Sequence, residues 1–165
     1  WKKEKFNGDI WRLGDTYITS IGQYGTQITP VNAARFIAAI ANGGKLLTPS
    51  LLIGGKVGPV ERVLEFSNED WIAVRDGMRD GVKYGTSVGL NVPYVEAAAK
   101  TGTAELGSAN LYVNSWSVGF FPFNHPKYAW AVIMEKGPSS NSIGATSVVR
   151  QTLDWMSVNT PEYFE

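Results

Sequence analysis

Apolar positions along the chain change period twice. Across residues 1–28 no period is sustained, and Gly8, Gly14, Gly22 and Gly25 interrupt a stretch of mixed charge rich in threonine, which predicts irregular structure. Thr29-Pro30 then reads as a helix start, because a hydroxyl can cap free N–H groups and proline suits the first helical position. Val31, Ala34, Ile37, Ala38 and Ala41 recur at helical spacing, with Phe36 and Ile40 widening the apolar face until Asn42-Gly43-Gly44 ends it. The spacing predicts a helix buried on most sides.

Residues 45–65 hold Pro49, Gly54, Gly55, Gly58 and Pro59 between short apolar runs, the pattern of a loop with a brief hairpin. Ser67 to Asp70 is a second helix start with acids in the first turn, and Trp71, Val74, Met78 and Val82 fall on one stripe. Trp71 and Met78 read as core, not as a ligand platform. A loop follows over 81–89.

From Val95 the period shortens to two. Strands are expected through Lys100, over 113–123 and over 128–136, with Phe123-Asn124-His125-Pro126 as a tight hairpin turn. In the last strand Tyr128, Trp130, Val132 and Met134 alternate with Ala129, Ala131, Ile133 and Glu135, giving a bulky face and a small face that both need cover. After a polar turn over 139–144, Ala145, Val149, Thr152 and Met156, flanked by Val148, Leu153 and Trp155, predict a closing amphipathic helix. Helices, then three antiparallel strands, then a helix laid over them make an α+β fold with an antiparallel sheet packed against helices. No repeat, low-complexity tract or linker divides the 165 residues, so one unit, 1–165, is expected.

Composition narrows the function classes. Lys and Arg number 15, as do Asp and Glu, so no strong field favours nucleic acid or an anionic membrane. Without cysteine, and with His125 the single histidine, the chain lacks a disulfide framework and the usual zinc ligands, and no metal or cofactor is called for. No run approaches the roughly 20 apolar residues of a spanning helix. The chain begins at Trp1, without methionine or signal-type segment, and is read as a fragment of a longer polypeptide.

The candidate chemistry lies in Ala97-Ala98-Ala99-Lys100-Thr101-Gly102-Thr103-Ala104-Glu105. Side chains alternate along a strand, so Lys100 and Gly102 face one way and Thr101 and Thr103 the other. One strand end thus presents an ammonium, two hydroxyls and backbone N–H groups, and Gly102 lets a neighbour lie directly on the main chain. A site that binds a carboxylate and polarises a carbonyl needs those groups.

Lys-Thr-Gly is also a signature of penicillin-binding proteins and serine β-lactamases. Around it stand Trp116-Ser117-Val118-Gly119-Phe120-Phe121-Pro122 downstream, and Gly14-Asp15-Thr16, Ser20-Ile21-Gly22-Gln23, Thr29-Pro30 and Ile40-Ala41-Asn42-Gly43-Gly44 upstream. In combination the chain resembles the C-terminal part of the transpeptidase domain of a class B penicillin-binding protein, nearest the elongation type. The resemblance runs from about Gly14 to the C-terminal helix and departs at Tyr24, where the family has glycine.

Acyl transfer by such enzymes needs an activated nucleophile, a base and an oxyanion hole. The family draws the first two from Ser-x-x-Lys, assisted by Ser-x-Asn. No serine of this chain has a lysine three residues on; Ser147-Val148-Val149-Arg150 comes nearest, but a guanidinium stays protonated and cannot take the proton. Ser108-Ala109-Asn110 has the letters of the second motif but follows Lys-Thr-Gly instead of preceding it, and reads as a loop. Glu105 and His125 read as a solvated carboxylate and an ordinary turn residue.

The resemblance therefore implies one wall of an active site without its nucleophile. Lys100 would hold the electrostatics of the missing serine and lysine and help recognise the carboxylate of an acyl donor or β-lactam. Thr101 and Thr103 would offer hydroxyls to that carboxylate, the Thr103 backbone N–H would be one of two oxyanion donors, and Gly102 would admit close approach. Trp116 could floor the site or simply be sheet core. The implied whole is a serine D,D-transpeptidase acting on peptidoglycan stem peptides, with an N-terminal membrane anchor, a periplasmic or outer-surface site and a glycan polymerase as partner. A penicillin-recognising module without catalysis is one alternative, decided by whether Ser-x-x-Lys stands upstream; a serine β-lactamase is another, though Ile40 to Gly44 and Trp116 to Phe120 resemble the transpeptidases more closely.

Overall fold

Two well-capped helices, three long strands and a closing helix carry most of the architecture. In the computed structural model of the chain, residues 2–23, 25–52, 58–107 and 111–164 are described; Tyr24, Gly54, Gly55 and the expected loop over 108–110 lie outside them. Short helices α1 (Lys2–Lys5) and α2 (Leu13–Ser20) precede α3 (Pro30–Ala41), the hairpin of β1 (Lys45–Leu47) and β2 (Val60–Val63), and α4 (Asn68–Lys83). Strands β3 (Ala98–Leu106), β4 (Tyr112–Phe121) and β5 (Tyr128–Pro138) follow, then α5 (Ala145–Asn159), with 3-10 turns at Val88–Leu90 and Pro161–Phe164.

The caps are those their residues favour. Thr29 accepts the Asn32 N–H ahead of Pro30, and Ser67 and Asp70 cap each other reciprocally at the start of α4. The expectation of irregular structure before Thr29 is corrected: α1 and α2 form there. Asp15 accounts for part of this, because its carboxylate accepts the Arg12 N–H at 2.6 Å at the head of α2 and receives the Lys2 ammonium at 2.6 Å. A long-range ion pair stabilises helices whose apolar period is too short to announce them.

The sheet is antiparallel with order β3-β4-β5. On one face Ala98, Phe120 and Ala129 pack with Ile37, Ile40 and Ala41 of α3 and Met78 of α4. On the other, Ala97, Ala99, Phe121, Trp130 and Val132 pack with Val82, Leu90 and the Val149, Leu153 and Met156 ridge of α5. The small and bulky faces of β5 thus meet α3 and α5 respectively. The helical stripes differ in detail from the sequence pattern: Val74, Val148 and Trp155 are exposed, as is Thr152, whose hydroxyl bonds back to the Val148 carbonyl, whereas Arg79 is buried. Arg79 tolerates burial because its guanidinium donates to the Ala97 carbonyl at 3.1 Å and the Glu96 carboxylate at 2.9 Å.

Among the described residues no helix is long and apolar enough to cross a membrane. The segment leading into β3 is tied to α5 by polar contacts. The Tyr94 hydroxyl donates to Asp154 at 2.6 Å, and Arg150 holds the same carboxylate and reaches the Gly89 carbonyl at 2.9 Å.

Glycine 119 shows how tight the sheet layer is: a Cβ there would sit 2.3 Å from the Trp130 ring and 2.4 Å from the Ala98 carbonyl, whereas one on Gly77 in α4 would meet nothing within 4 Å. Chemical denaturation should therefore find Gly119→Ala destabilising by about 3 kcal/mol, as for an overpacked core, and Gly77→Ala stabilising by about 0.5–1 kcal/mol. The Tyr94 hydroxyl has its pKa pushed up to about 12, first by burial and then by the Asp154 carboxylate. Its contribution is complete below the unfolded value of about 10 and is lost as pH rises through about 12. Unfolding free energy followed over that alkaline range should fall less in Tyr94→Phe than in the wild type.

Candidate active site

Ala97, just before the Lys100 strand, and Ala98 and Ala99, which begin it, are buried on both sheet faces, 0–1% exposed. They lock its register, so that the first polar residue, Lys100, emerges where the cover ends. Across the ladder Lys100 opposes Val118, Thr101 opposes Ser117, Gly102 opposes Trp116 and Thr103 opposes Ser115.

β3 is an edge strand, and its edge is covered over only part of its length. Arg79 of α4 bonds the Ala97 carbonyl, and a Cβ on Gly81 would lie 3.0 Å from the Ala99 carbonyl, so α4 seals the edge up to that point. Beyond it the edge opens. The Lys100 ammonium donates to the Thr101 carbonyl at 2.6 Å, and the Gln23 side-chain amide donates to the Thr103 carbonyl at 2.8 Å. The Ala98 carbonyl lies instead on the Gly119 side, toward β4. The carbonyls of Ala97, Thr101 and Thr103 thus point off the sheet, and in an antiparallel ladder a residue's N–H points the same way as its C=O. The Thr103 N–H therefore lies on the open edge.

Side chains divide as alternation requires. Lys100 is exposed and shares the α3 face with Gly102 and Trp116; a Cβ on Gly102 would touch the Trp116 Cβ at 3.4 Å, so the half-buried Trp116 lies directly across the bare main chain. Thr101 and Thr103 lie on the α5 face. The Thr101 hydroxyl is 2.6 Å from that of Thr86, which comes from the turn after α4. Next to Thr103, Ser115 caps α5 from outside the helix, its hydroxyl accepting the Ala145 N–H at 3.0 Å. Gly144 is needed there, since a Cβ would lie 2.7 Å from the Ser115 oxygen.

Two of these contacts were not expected from the residues. Gln23 was visible only as a letter in a motif, and Thr86 as part of a loop; their partners are 80 and 15 residues away. The one available signal was a Gly-Thr-Ser run, Gly85 to Ser87, in the loop expected over 81–89. Glu105 is exposed on the same strand. His125 lies at the other end of the sheet, in the β4–β5 turn, beside an open cavity of about 360 Å³ lined also by Tyr94, Glu96 and Phe123. Arg150 is engaged with Asp154 and Gly89, so Ser147 gains no base from it. Among the described residues no group of three His, Cys, Asp or Glu is gathered to hold a metal ion.

Chemically, the wall offers a primary ammonium, two hydroxyls and an outward backbone N–H along one strand, and an open edge to which an extended ligand could add. The sequence profile of the penicillin binding protein transpeptidase domain matches residues 2–154. The peptidoglycan D,D-transpeptidase MrdA of Acinetobacter baumannii is 30% identical over 167 residues, covering 88% of this chain and 25% of that protein. Among solved structures, the penicillin-binding protein PBP2 of Helicobacter pylori superposes with a TM-score of 0.76 at 29% identity, over 97% of this chain and 30% of its own. The same protein in complex with MreC gives 0.76 at 30% identity, over 96% and 30%. The chain thus spans between a quarter and a third of the length of these relatives. The helices on both faces of the β3-β4-β5 sheet are those of the serine β-lactamase-like α+β fold, and the chain belongs to the penicillin-binding protein transpeptidase domain family.

Proposed function

We propose that this chain is the C-terminal part of a serine D,D-transpeptidase domain that cross-links peptidoglycan stem peptides and is acylated by β-lactams. The observation that carries the reading is the open edge of β3, along which the Thr101 and Thr103 carbonyls point outward, the first bonded by the Lys100 ammonium. The nucleophilic serine and its lysine would come from preceding polypeptide. On its attack the acyl carbonyl becomes an oxyanion, which the Thr103 N–H would receive as one of two donors. Lys100, turned from the Thr101 carbonyl, would stabilise charge at the nucleophile and orient the carboxylate. Thr101 and Thr103 would bond that carboxylate, with Thr86 holding the Thr101 hydroxyl. Gly102 keeps the main chain bare, and Trp116 forms the floor beneath it.

The same reading accounts for the apolar surface of the described residues. Leu13, Tyr17 and Ile21 near α2, and Leu51 and Leu52 after β1, are largely exposed. The first half of the domain would cover part of it. A membrane anchor in the preceding polypeptide, action on the outer face of the cytoplasmic membrane or in the periplasm, and a glycan polymerase partner belong to the same proposal. The relative solved with MreC offers a precedent for partnership.

Incubated alone with a fluorescent penicillin and run on a denaturing gel, the chain should take no covalent label; a labelled band would reveal a nucleophile among its own residues. In the full-length protein that contains it, Lys100→Ala should slow acylation by on the order of a hundredfold, the effect of losing one preorganised electrostatic group. Stopped-flow acylation at the wild-type rate would remove Lys100 from the site.

A further inference from the structure

Gln23 stands on the turn after α2, its backbone N–H tied to the Ile18 carbonyl at 3.2 Å, and glycines in the left-handed region, Gly22 and Gly25, stand on either side. Its half-buried side chain reaches across the fold to donate from Nε2 to the Thr103 carbonyl at 2.8 Å. A carboxamide is chemically a peptide group. An N–H offered to an edge-strand carbonyl in this way is what the next strand of a sheet would offer.

A ligand adding to this edge opposite Thr103 needs both of that residue's backbone groups: its own carbonyl meets the Thr103 N–H and its own amide N–H meets the Thr103 carbonyl. The second of these places is already taken. We propose that Gln23 is a specificity-determining placeholder: its amide occupies the Thr103 carbonyl in the free enzyme and is displaced by acyl donors that carry an amide N–H beside the reacting carbonyl. Ligands without that N–H leave Gln23 in place. The inference rests on the transpeptidase reading and adds to it a competition between an internal amide and the amide of the substrate.

Two classes of β-lactam separate the cases. A penicillin carries an acylamino N–H next to its strained carbonyl; a carbapenem carries a hydroxyethyl group there and no amide N–H. In the full-length protein, Gln23→Ala should raise the second-order acylation rate for benzylpenicillin by about threefold to tenfold, the scale of one exposed hydrogen bond no longer competed for. The rate for a carbapenem should stay unchanged. Gln23→Glu, isosteric but without a donor, should raise the penicillin-to-carbapenem ratio in the same direction, and the ratio cancels any general effect of the new charge or of a perturbed turn. Equal changes for both β-lactams, or a slower penicillin reaction, would overturn the placeholder while leaving the transpeptidase reading intact. A wild-type protein acylated by neither would overturn both.

Discussion

The site depends on a strand that is dry on both faces at one end and open along one edge at the other. Ala97 and Ala99 are buried against α5 and Val82, and Ala98 against α3 and Phe120, so three small side chains place β3 in two cores at once. A slip of one residue would exchange the faces and put Lys100 into the α5 core, where an unpaired ammonium is costly. Register is thus set by burial upstream of the chemistry. The polar residues inherit it.

Edge control follows from the same arrangement. An unprotected strand edge invites pairing with any other chain, and this one is closed stepwise: by α4 through Arg79 and Gly81, by the Lys100 ammonium on the Thr101 carbonyl, and by Gln23 on the Thr103 carbonyl. The first closure is built into a packed helix. The other two are single side-chain hydrogen bonds on exposed groups, worth little each and therefore exchangeable for a ligand. Cover along the strand thus runs from permanent to replaceable, and under the proposed function the replaceable end is the one that would take a ligand.

Much of this was legible in the residues, for reasons that differ by element. Thr29-Pro30 and Ser67 to Asp70 are local signals, sufficient in themselves to start α3 and α4 where they start. The period-two run over Tyr128 to Met134 named the two faces of β5, because a sheet between two helix layers needs one small and one bulky side. Helix α2 was not legible: its stability draws on Lys2 and Asp15, 13 residues apart, and no local pattern encodes that pair. The buried Arg79 escaped for a like reason, since only the Ala97 carbonyl and Glu96 make its place on α4 tolerable. In the candidate site, Lys100, Thr101, Gly102 and Thr103 stood in a recognisable run, whereas Gln23 and Thr86 owe their places to chain reversals that bring loops onto the strand.

The central claim is that the open edge of β3 receives the acyl group, and a crystal structure of the full-length protein acylated by a penicillin tests it most directly. The account predicts the acyl oxygen about 2.7–3.1 Å from the Thr103 N and the Lys100 ammonium turned from the Thr101 carbonyl into the site. An acyl group bound elsewhere, with that oxygen beyond hydrogen-bonding reach of Thr103 and the ammonium still on Thr101, would contradict it.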